Sequence, residues 1–289
     1  MKTSNLIKTA ITVVVVEAAL CVIAAGTVQA EQCQLIPKSD STSIESFEPG
    51  QLLDSGKFPQ VDAALQKLYQ KGISSEGNDL LTLRVVNDIL IGKEQNLIRM
   101  WVDQYPKSFF AQFSAGVFYV NQAALARGSN TISKTSKNQL TNMSDLDKKA
   151  ANYLQKAMQL DPRSALPQSV MLIIAAHEGQ AVGKNTEQWL QSANQVNPKN
   201  LAARVQAITF LSPRWGGSFD QLNQIVQQAK KTLSSQEIRY LEYNVILAQA
   251  NHEEVINKNK SAAYALYQRA KGMCENSQTA QDGMVRTYQ

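Results

Sequence analysis

The chain has 289 residues, of which 44% are hydrophobic and 18% charged, and its formal net charge is +5. This length is sufficient for one elongated domain or two smaller ones with a real hydrophobic core. The positive charge is mild and no long basic stripe interleaves with aromatic residues, which argues against a nucleic-acid-binding protein.

The first thirty residues have the pattern of a secretory signal peptide. Lys2 and Lys8 form a positive start, an apolar run covers residues 11–25, and the small-residue pattern read by signal peptidase ends at Ala30. The run contains Glu17 and is shorter than the roughly 20 residues that a membrane-spanning helix needs. We therefore expect cleavage after Ala30, a periplasmic or secreted bacterial protein, and no transmembrane segment in the mature chain.

Two cysteines remain after this cleavage, Cys33 near the start and Cys274 near the end. In an oxidising compartment an even pair of cysteines predicts a disulfide bond, although two unrelated thiols also fit the sequence. The bond would join the N-terminal segment to the last helix.

The mature chain divides into a short lead-in and a helical domain. Residues 31–57 are rich in Ser, Asp, Pro and Gly, which predicts a flexible lead-in. Across residues 58–289 apolar residues recur at helical spacing, and no run alternates well enough to predict a strand. Ser108 is suited to begin one helix and Gly128 to end it. The polar stretch at about 128–145 predicts a loop insertion.

Three segments of the chain end alike, with a proline five residues after an inward position, then a basic residue, then Ser or Asn. They are Pro106-Lys107-Ser108, Pro162-Arg163-Ser164 and Pro198-Lys199-Asn200. Proline stops one helix, and Ser or Asn is a favoured cap for the next. This recurrence predicts helix pairs, each closed by a proline corner.

The residues around these corners resemble tetratricopeptide and Sel1-like repeats. The best match is the second-helix pattern Ala150, Leu154, Ala157 and Pro162; Leu190, Ala193 and Pro198 match more sparsely, and Ala263, Tyr267 and Ala270 look like a Sel1-like second helix. The first-helix Trp-Leu-Gly-Tyr signature is missing from every copy, so the repeats are degenerate. The resemblance covers roughly residues 58–275 and implies an all-α fold of helix pairs stacked as a short right-handed solenoid.

The chain also resembles an uncharacterised bacterial domain family. The resemblance rests on a tryptophan ahead of a Pro and Ser (Trp101), on Ala126-Arg127-Gly128, and on the turn Pro213 to Ser218. It implies no biochemical activity.

The stretch Ser212 to Asp220, with the sequence SPRWGGSFD, is the densest group of special residues in the chain. Pro213 can end a helix, Gly216 and Gly217 permit unusual backbone angles, and Ser218 is a good cap for a helix predicted over 219–233. A phosphate-binding loop is not expected, because the preceding strand and the Gly-Lys-Ser/Thr ending are missing.

Arg214 and Trp215 have no such structural role and are therefore the candidate binding residues. They could stack on each other as a cation–π pair or hold a carboxylate of a partner. A purely structural corner and, less plausibly, a catalytic one remain open alternatives.

The sequence contains no motif for nucleophilic or metal-dependent catalysis. His177 lacks the second histidine of a zinc-protease motif, and paired helical carboxylates such as Asp145 and Asp147 are expected to be surface charges. Trp101 and Trp189 are expected in the core. No metal and no cofactor are predicted.

We expect an exported, non-catalytic protein that binds a protein or peptide in the cell envelope. The alternative is a hydrolase that acts on cell-wall glycan or peptide through carboxylates in a groove. A groove lined with Asn and Gln favours binding, whereas two carboxylates facing each other in a deep pocket favour the hydrolase. Side chains suited to such a groove are Gln224, Gln227, Gln228, Asn244 and Gln249.

Overall fold

A computed structural model of the protein describes residues 49–74, 78–128, 134–275 and 277–288. Within these ranges the chain forms helices and no strand, which confirms the all-α prediction. The helices are α1 (Pro49–Asp54), α2 (Phe58–Ser74), α3 (Asn78–Leu90), α4 (Gln95–Gln104), α5 (Phe109–Arg127), α6 (Lys137–Leu160), α7 (Leu166–Glu178), α8 (Thr186–Val196), α9 (Ala202–Phe210), α10 (Phe219–Ala229), α11 (Ser235–Val255), α12 (Lys260–Met273) and α13 (Gln278–Thr287). None of the helices in the described ranges is both long and apolar enough to cross a membrane.

The helices alternate between two layers. Each odd-numbered helix packs against the next odd-numbered helix, from α1 on α3 through to α11 on α13, while the even-numbered helices pack chiefly on their chain neighbours. We call the layer of odd-numbered helices the inner layer, and its middle helices lie at the centre of the hydrophobic core. Every residue from Leu166 to Ala175 in α7 and from Ala202 to Ile208 in α9 is buried. Most of these residues are apolar, and the buried polar ones are Gln168, Ser169, Arg204 and Gln206.

The three proline corners share one backbone geometry. At each corner the first residue after the helix donates its N–H to an inward residue four positions back, and these inward residues are Trp101, Ala157 and Ala193. All three are fully buried, which confirms the inward positions predicted from the sequence. Trp189 is buried as well, as expected.

The capping of the helices after these corners follows the prediction only once. Ser108 accepts a hydrogen bond from the N–H of Ala111 at 2.9 Å and so caps α5. Ser164 and Asn200 are not the N-caps, because α7 and α9 begin one residue later than predicted, after Ala165 and Leu201. The Ser164 hydroxyl nevertheless accepts the N–H of Leu166, the first residue of α7, at 3.3 Å.

Several side-chain hydrogen bonds join residues that lie far apart in the sequence. Five of them join residues 34 positions apart: Asn87 with Asn121, Ser144 with Glu178, Glu187 with Gln221, Arg239 with Met273, and Tyr243 with Ser277. Three of the five join alternate helices, α3 to α5, α8 to α10, and α11 to the start of α13. The other two join consecutive helices, α6 to α7 and α11 to α12.

Three boundaries differ from the sequence prediction. The end of the lead-in is helical, since α1 covers Pro49–Asp54 and buries Leu53, while residues 1–48, with the predicted signal peptide, lie outside the described residues. The predicted loop at 128–145 is helical from Lys137 onwards, because Ser136 and Gln139 form a capping box that begins α6 there. Helix α10 ends at Ala229, four residues before the predicted end.

Candidate binding sites

An open cleft of about 350 Å³ lies between α10, α11 and α12, and we call it the polar cleft. Its lining includes three side-chain amides, those of Asn223 and Gln227 on α10 and Gln249 on α11. Gln227 and Gln249 are two of the groove residues suggested by the sequence. The other three, Gln224, Gln228 and Asn244, are not part of the lining.

The apolar pattern of α10 explains how these amides reach the cleft. Leu222, Ile225, Val226 and Ala229 form the buried stripe that holds α10 against its neighbours, as the sequence predicted. Asn223 and Gln227 are four residues apart and therefore share the exposed flank next to that stripe. Both are available to a ligand.

The lining of the cleft also includes one acidic, one basic and several apolar residues. Glu242 on α11 lies 3.9 Å from Lys230, and both side chains are nearly half exposed. Arg269 on α12 is exposed and forms no ion pair with any described residue. The buried residues Val245 and Ile246 also belong to the lining.

The second candidate is the stretch 212–220, which we call the Trp215 corner, and its predicted structural residues have their expected roles. Gly216 has a φ of +87°, a left-handed conformation that favours glycine. A Cβ on Gly217 would lie 1.9 Å from the carbonyl oxygen of Leu211, so only glycine fits there. Ser218 accepts the N–H of Gln221 at 3.2 Å and caps α10.

The two predicted binding residues of this corner do not stack on each other. The half-buried Trp215 ring lies 4.9 Å from the ring of Phe210 and 5.8 Å from that of His177, measured between centroids. Arg214 is exposed, and no described residue forms an ion pair or cation–π contact with it. Of the two possibilities that the sequence left open for these residues, the Arg214–Trp215 cation–π pair is not formed in the described part of the chain.

His177 connects this corner to a buried carboxylate. Its Nδ1 lies 2.9 Å from Oδ2 of Asp147, and the two side chains are only 6% and 0% exposed. Burial raises the pKa of Asp147, and the hydrogen bond and charge of His177 oppose that effect. Asp147 is thus not the surface charge expected from sequence. Its position in the inward series Met143, Asp147, Ala150 and Leu154 is the feature of the sequence that could have predicted its burial.

The remaining predicted residues have structural positions. Ala150, Ala157 and Ala193 are fully buried in helix contacts. Cys274 is buried at the end of α12, and its predicted partner Cys33 lies outside the described residues. Within the described ranges, no three histidine, cysteine or acidic side chains come together as a metal site would require.

Comparison with known proteins places the chain in a family without giving it a function. A family model described as a domain of unknown function, DUF4034, matches residues 51–182 and 164–247. The chain belongs to this family. This confirms the resemblance to an uncharacterised domain family noted from the sequence. Neither the search of curated proteins nor that of solved structures finds a match.

Proposed function

We propose that the protein is an exported, non-catalytic helical-repeat protein that binds a protein or peptide partner in the cell envelope. The polar cleft carries this proposal and is the binding site for an extended peptide segment. The assignment rests on one observation, the presence of three side-chain amides in the lining of this open cleft.

The chemistry of the cleft matches that of a peptide in an extended conformation. Each side-chain amide can donate and accept hydrogen bonds, as the N–H and C=O groups of a peptide backbone require. Glu242 and Arg269 in the lining can pair with charged side chains of either sign. No metal or cofactor enters this mechanism.

The same lining supports binding over the alternative hydrolase. A carboxylate-based glycan hydrolase needs two carboxyl groups across the scissile bond, separated by about 5 to 10 Å. Glu242 is the single carboxylate among the residues that line the cleft. An amide-rich, open groove therefore favours recognition without turnover.

The repeat type proposed here is the tetratricopeptide or Sel1-like helix pair, stacked as a right-handed solenoid. Three hydrogen bonds between alternate helices support it, because each spans 34 residues, which is the period of a tetratricopeptide repeat. The shared geometry of the three proline corners supports it too.

The location of the protein remains a proposal from its sequence. We propose a periplasmic or secreted protein whose leader is removed after Ala30 and whose Cys33 and Cys274 form a disulfide bond. In that arrangement the N-terminal segment is attached next to Met273, which lines the polar cleft.

A peptide library displayed on phage and selected on the purified protein tests the binding function. Affinities of enriched peptides are then measured by calorimetry for the wild type and a Gln227→Ala, Gln249→Ala variant. The matched control is Gln224→Ala, Gln228→Ala, since those residues do not line the cleft. We expect at least about tenfold weaker binding for the cleft variant and no change for the control. Equal affinities for all three proteins, or no enriched peptide, would contradict the assignment.

A further inference from the structure

The positive charge of Arg269 in the polar cleft has no counter-charge among the described residues. Its exposed side chain takes part in no hydrogen bond, ion pair or cation–π contact with any of them. Helix α12, which carries Arg269, contains further basic residues at positions 260 and 271 and no acidic residue. A ligand with a carboxylate can therefore reach this guanidinium without displacing a partner from it.

The acidic residue of the lining, Glu242, already has a basic neighbour. Its Oε1 lies 3.9 Å from Nζ of Lys230, and both side chains are nearly half exposed. Such a pair is weak, but seen from elsewhere in the cleft its two charges offset each other. The charge that is left over in the cleft is that of Arg269, so the cleft favours an anionic group.

The position of Arg269 along the cleft follows from how α12 packs on α11. Arg239 of α11 donates to the backbone carbonyl of Met273 at 3.4 Å. Further along the same helix, Glu254 accepts the hydroxyl of Tyr267 at 2.7 Å. The two helices are therefore antiparallel. Met273 lies at the end of the cleft towards Arg239, and Arg269 lies about one helical turn further along.

The three amide side chains of the lining are unengaged as well. Asn223, Gln227 and Gln249 form no side-chain hydrogen bond with any described residue. Each amide offers N–H donors and a carbonyl acceptor, whereas Arg269 offers a fork of N–H donors that matches the two oxygens of a carboxylate. The cleft thus supplies one charged partner for a carboxylate and neutral partners for the peptide backbone beside it.

The spacing of Arg269 and Met273 defines a second feature of the ligand. They are four residues apart on α12 and both line the cleft, so their Cβ atoms lie about 5 to 6 Å apart on one face of the helix. In an extended peptide, side chains two positions apart lie on the same side, about 6.5 Å from each other. An acidic side chain paired with Arg269 therefore places the side chain two positions away at Met273, a half-buried residue whose flexible thioether adapts to apolar groups.

We propose that the peptide segment bound by the polar cleft has an acidic residue that pairs with Arg269 and, two positions away, an apolar residue that packs on Met273. This inference rests on the proposed function, because it specifies the ligand of the same cleft. The two-residue spacing applies to side chains of an extended segment. The carboxylate is therefore assigned to an aspartate or glutamate side chain and not to the end of a chain.

An NMR titration of the isotope-labelled full chain with short capped peptides tests the proposal. The probe is acetyl-Leu-Ser-Glu-Ser-Leu-amide, which has a leucine two positions from the glutamate on either side and no terminal charge. The matched peptide has glutamine in place of glutamate. We expect the glutamate peptide to bind about fivefold more tightly than the glutamine peptide, since the exposed ion pair is its only additional contact.

Two variants assign this preference to one side chain. Arg269→Gln should bind the glutamate and glutamine peptides with the same affinity. The matched control is Lys271→Gln, which removes the same charge from the same helix but outside the lining, and it should keep the wild-type preference. A preference for glutamate that persists in Arg269→Gln would show that the carboxylate pairs elsewhere.

The apolar contact is tested with acetyl-Ser-Ser-Glu-Ser-Ser-amide. The wild type should bind it about threefold more weakly than the leucine peptide, and Met273→Ala should bind the two peptides alike. Equal binding of both by the wild type would exclude the contact with Met273.

The remaining outcomes separate this inference from the proposed function. If peptides selected from the phage library bind the cleft but the wild type does not prefer the glutamate peptide, the pairing with Arg269 is wrong and the peptide site stands. If no peptide of either kind binds, both are wrong. Binding of acetyl-Leu-Ser-Gln-Ser-Leu with a free carboxyl terminus, without binding of the capped glutamate peptide, would overturn the assignment to an acidic side chain.

Discussion

The carboxylate of Asp79, in the first turn of α3, accepts the backbone N–H of Leu201 at 2.9 Å, across 122 residues of sequence. The same carboxylate accepts the N–H of Ala202 at 3.1 Å, so it caps α9 in place of a local side chain. Also on α3, Arg84 donates to the hydroxyl of Tyr240 on α11 at 2.5 Å. These contacts connect α3 directly to α9 and α11.

Removal of the Asp79 carboxylate should therefore destabilise the whole domain. We expect Asp79→Ala to lower the free energy of unfolding by about 2 to 3 kcal/mol, because the N-terminus of α9 loses its cap and buried N–H groups lose their acceptor. Urea unfolding followed by circular dichroism measures this change. The control is Asp54→Ala, which removes a half-exposed carboxylate paired with Lys93 and should cost less than about 1 kcal/mol. Equal losses in the two variants would contradict the role of Asp79.

The pH dependence of stability should reveal the same carboxylate. Burial raises the pKa of Asp79 from 3.8 to about 6. Because the pKa is higher in the folded than in the unfolded state, the protonated carboxyl favours folding below pH 3.8, and this contribution disappears as the pH rises through about 6. Between about pH 4 and pH 6 the free energy of unfolding should fall more steeply for wild type than for Asp79→Asn. Parallel curves for the two proteins would show that Asp79 is not the group responsible.

Features that depend on neighbouring residues could be predicted from the sequence. Contacts between residues far apart in the chain could not. The proline corners and the buried alanines follow from residue types within one helical turn. The capping of α9 does not, because its acceptor is Asp79 in another helix. The burial of Asp147 was not predicted, because acidic side chains usually lie at the surface, although its position in the helix faces inward.

The candidate sites show the same division. The roles of Gly216, Gly217 and Ser218 depend on the backbone of one turn and were predictable. The polar cleft depends on how three helices pack, so the sequence alone could suggest amide side chains such as Gln227 but not which of them share a groove.

Two glycine substitutions should have opposite effects on stability. Gly217→Ala places a Cβ against the Leu211 carbonyl, a backbone atom that cannot move away easily, and should lower the free energy of unfolding by about 2 kcal/mol. Gly272→Ala lies in α12 with no atom within 4 Å of the new Cβ, and should raise it by about 0.5 kcal/mol. Thermal unfolding of both variants, monitored at 222 nm, checks the two signs. A neutral Gly217→Ala would mean that the corner is looser than the structure indicates.

The predicted disulfide bond and leader can be checked together on protein isolated from the envelope. The intact mass should correspond to a chain that begins at Glu31 with Cys33 and Cys274 joined. On reduction this mass should increase by that of two hydrogen atoms. Closing so long a loop contributes about 5.5 kcal/mol in the chain-entropy model, so reduction should lower the melting temperature. A Cys33→Ser, Cys274→Ser variant should melt like the reduced protein. Two free thiols in freshly isolated protein would show that the disulfide bond does not form.

The most direct test of the central claim is site-specific photocrosslinking in cells that export the protein. A photoreactive residue is placed at Gln227, which lines the polar cleft, or at its neighbour Gln228, which is exposed but outside it. If the cleft binds a peptide segment, Gln227 should capture a defined partner that Gln228 does not, and the Gln249→Ala substitution should reduce that capture. No crosslink from Gln227, or the same crosslinks from both positions, would contradict a binding function for the cleft.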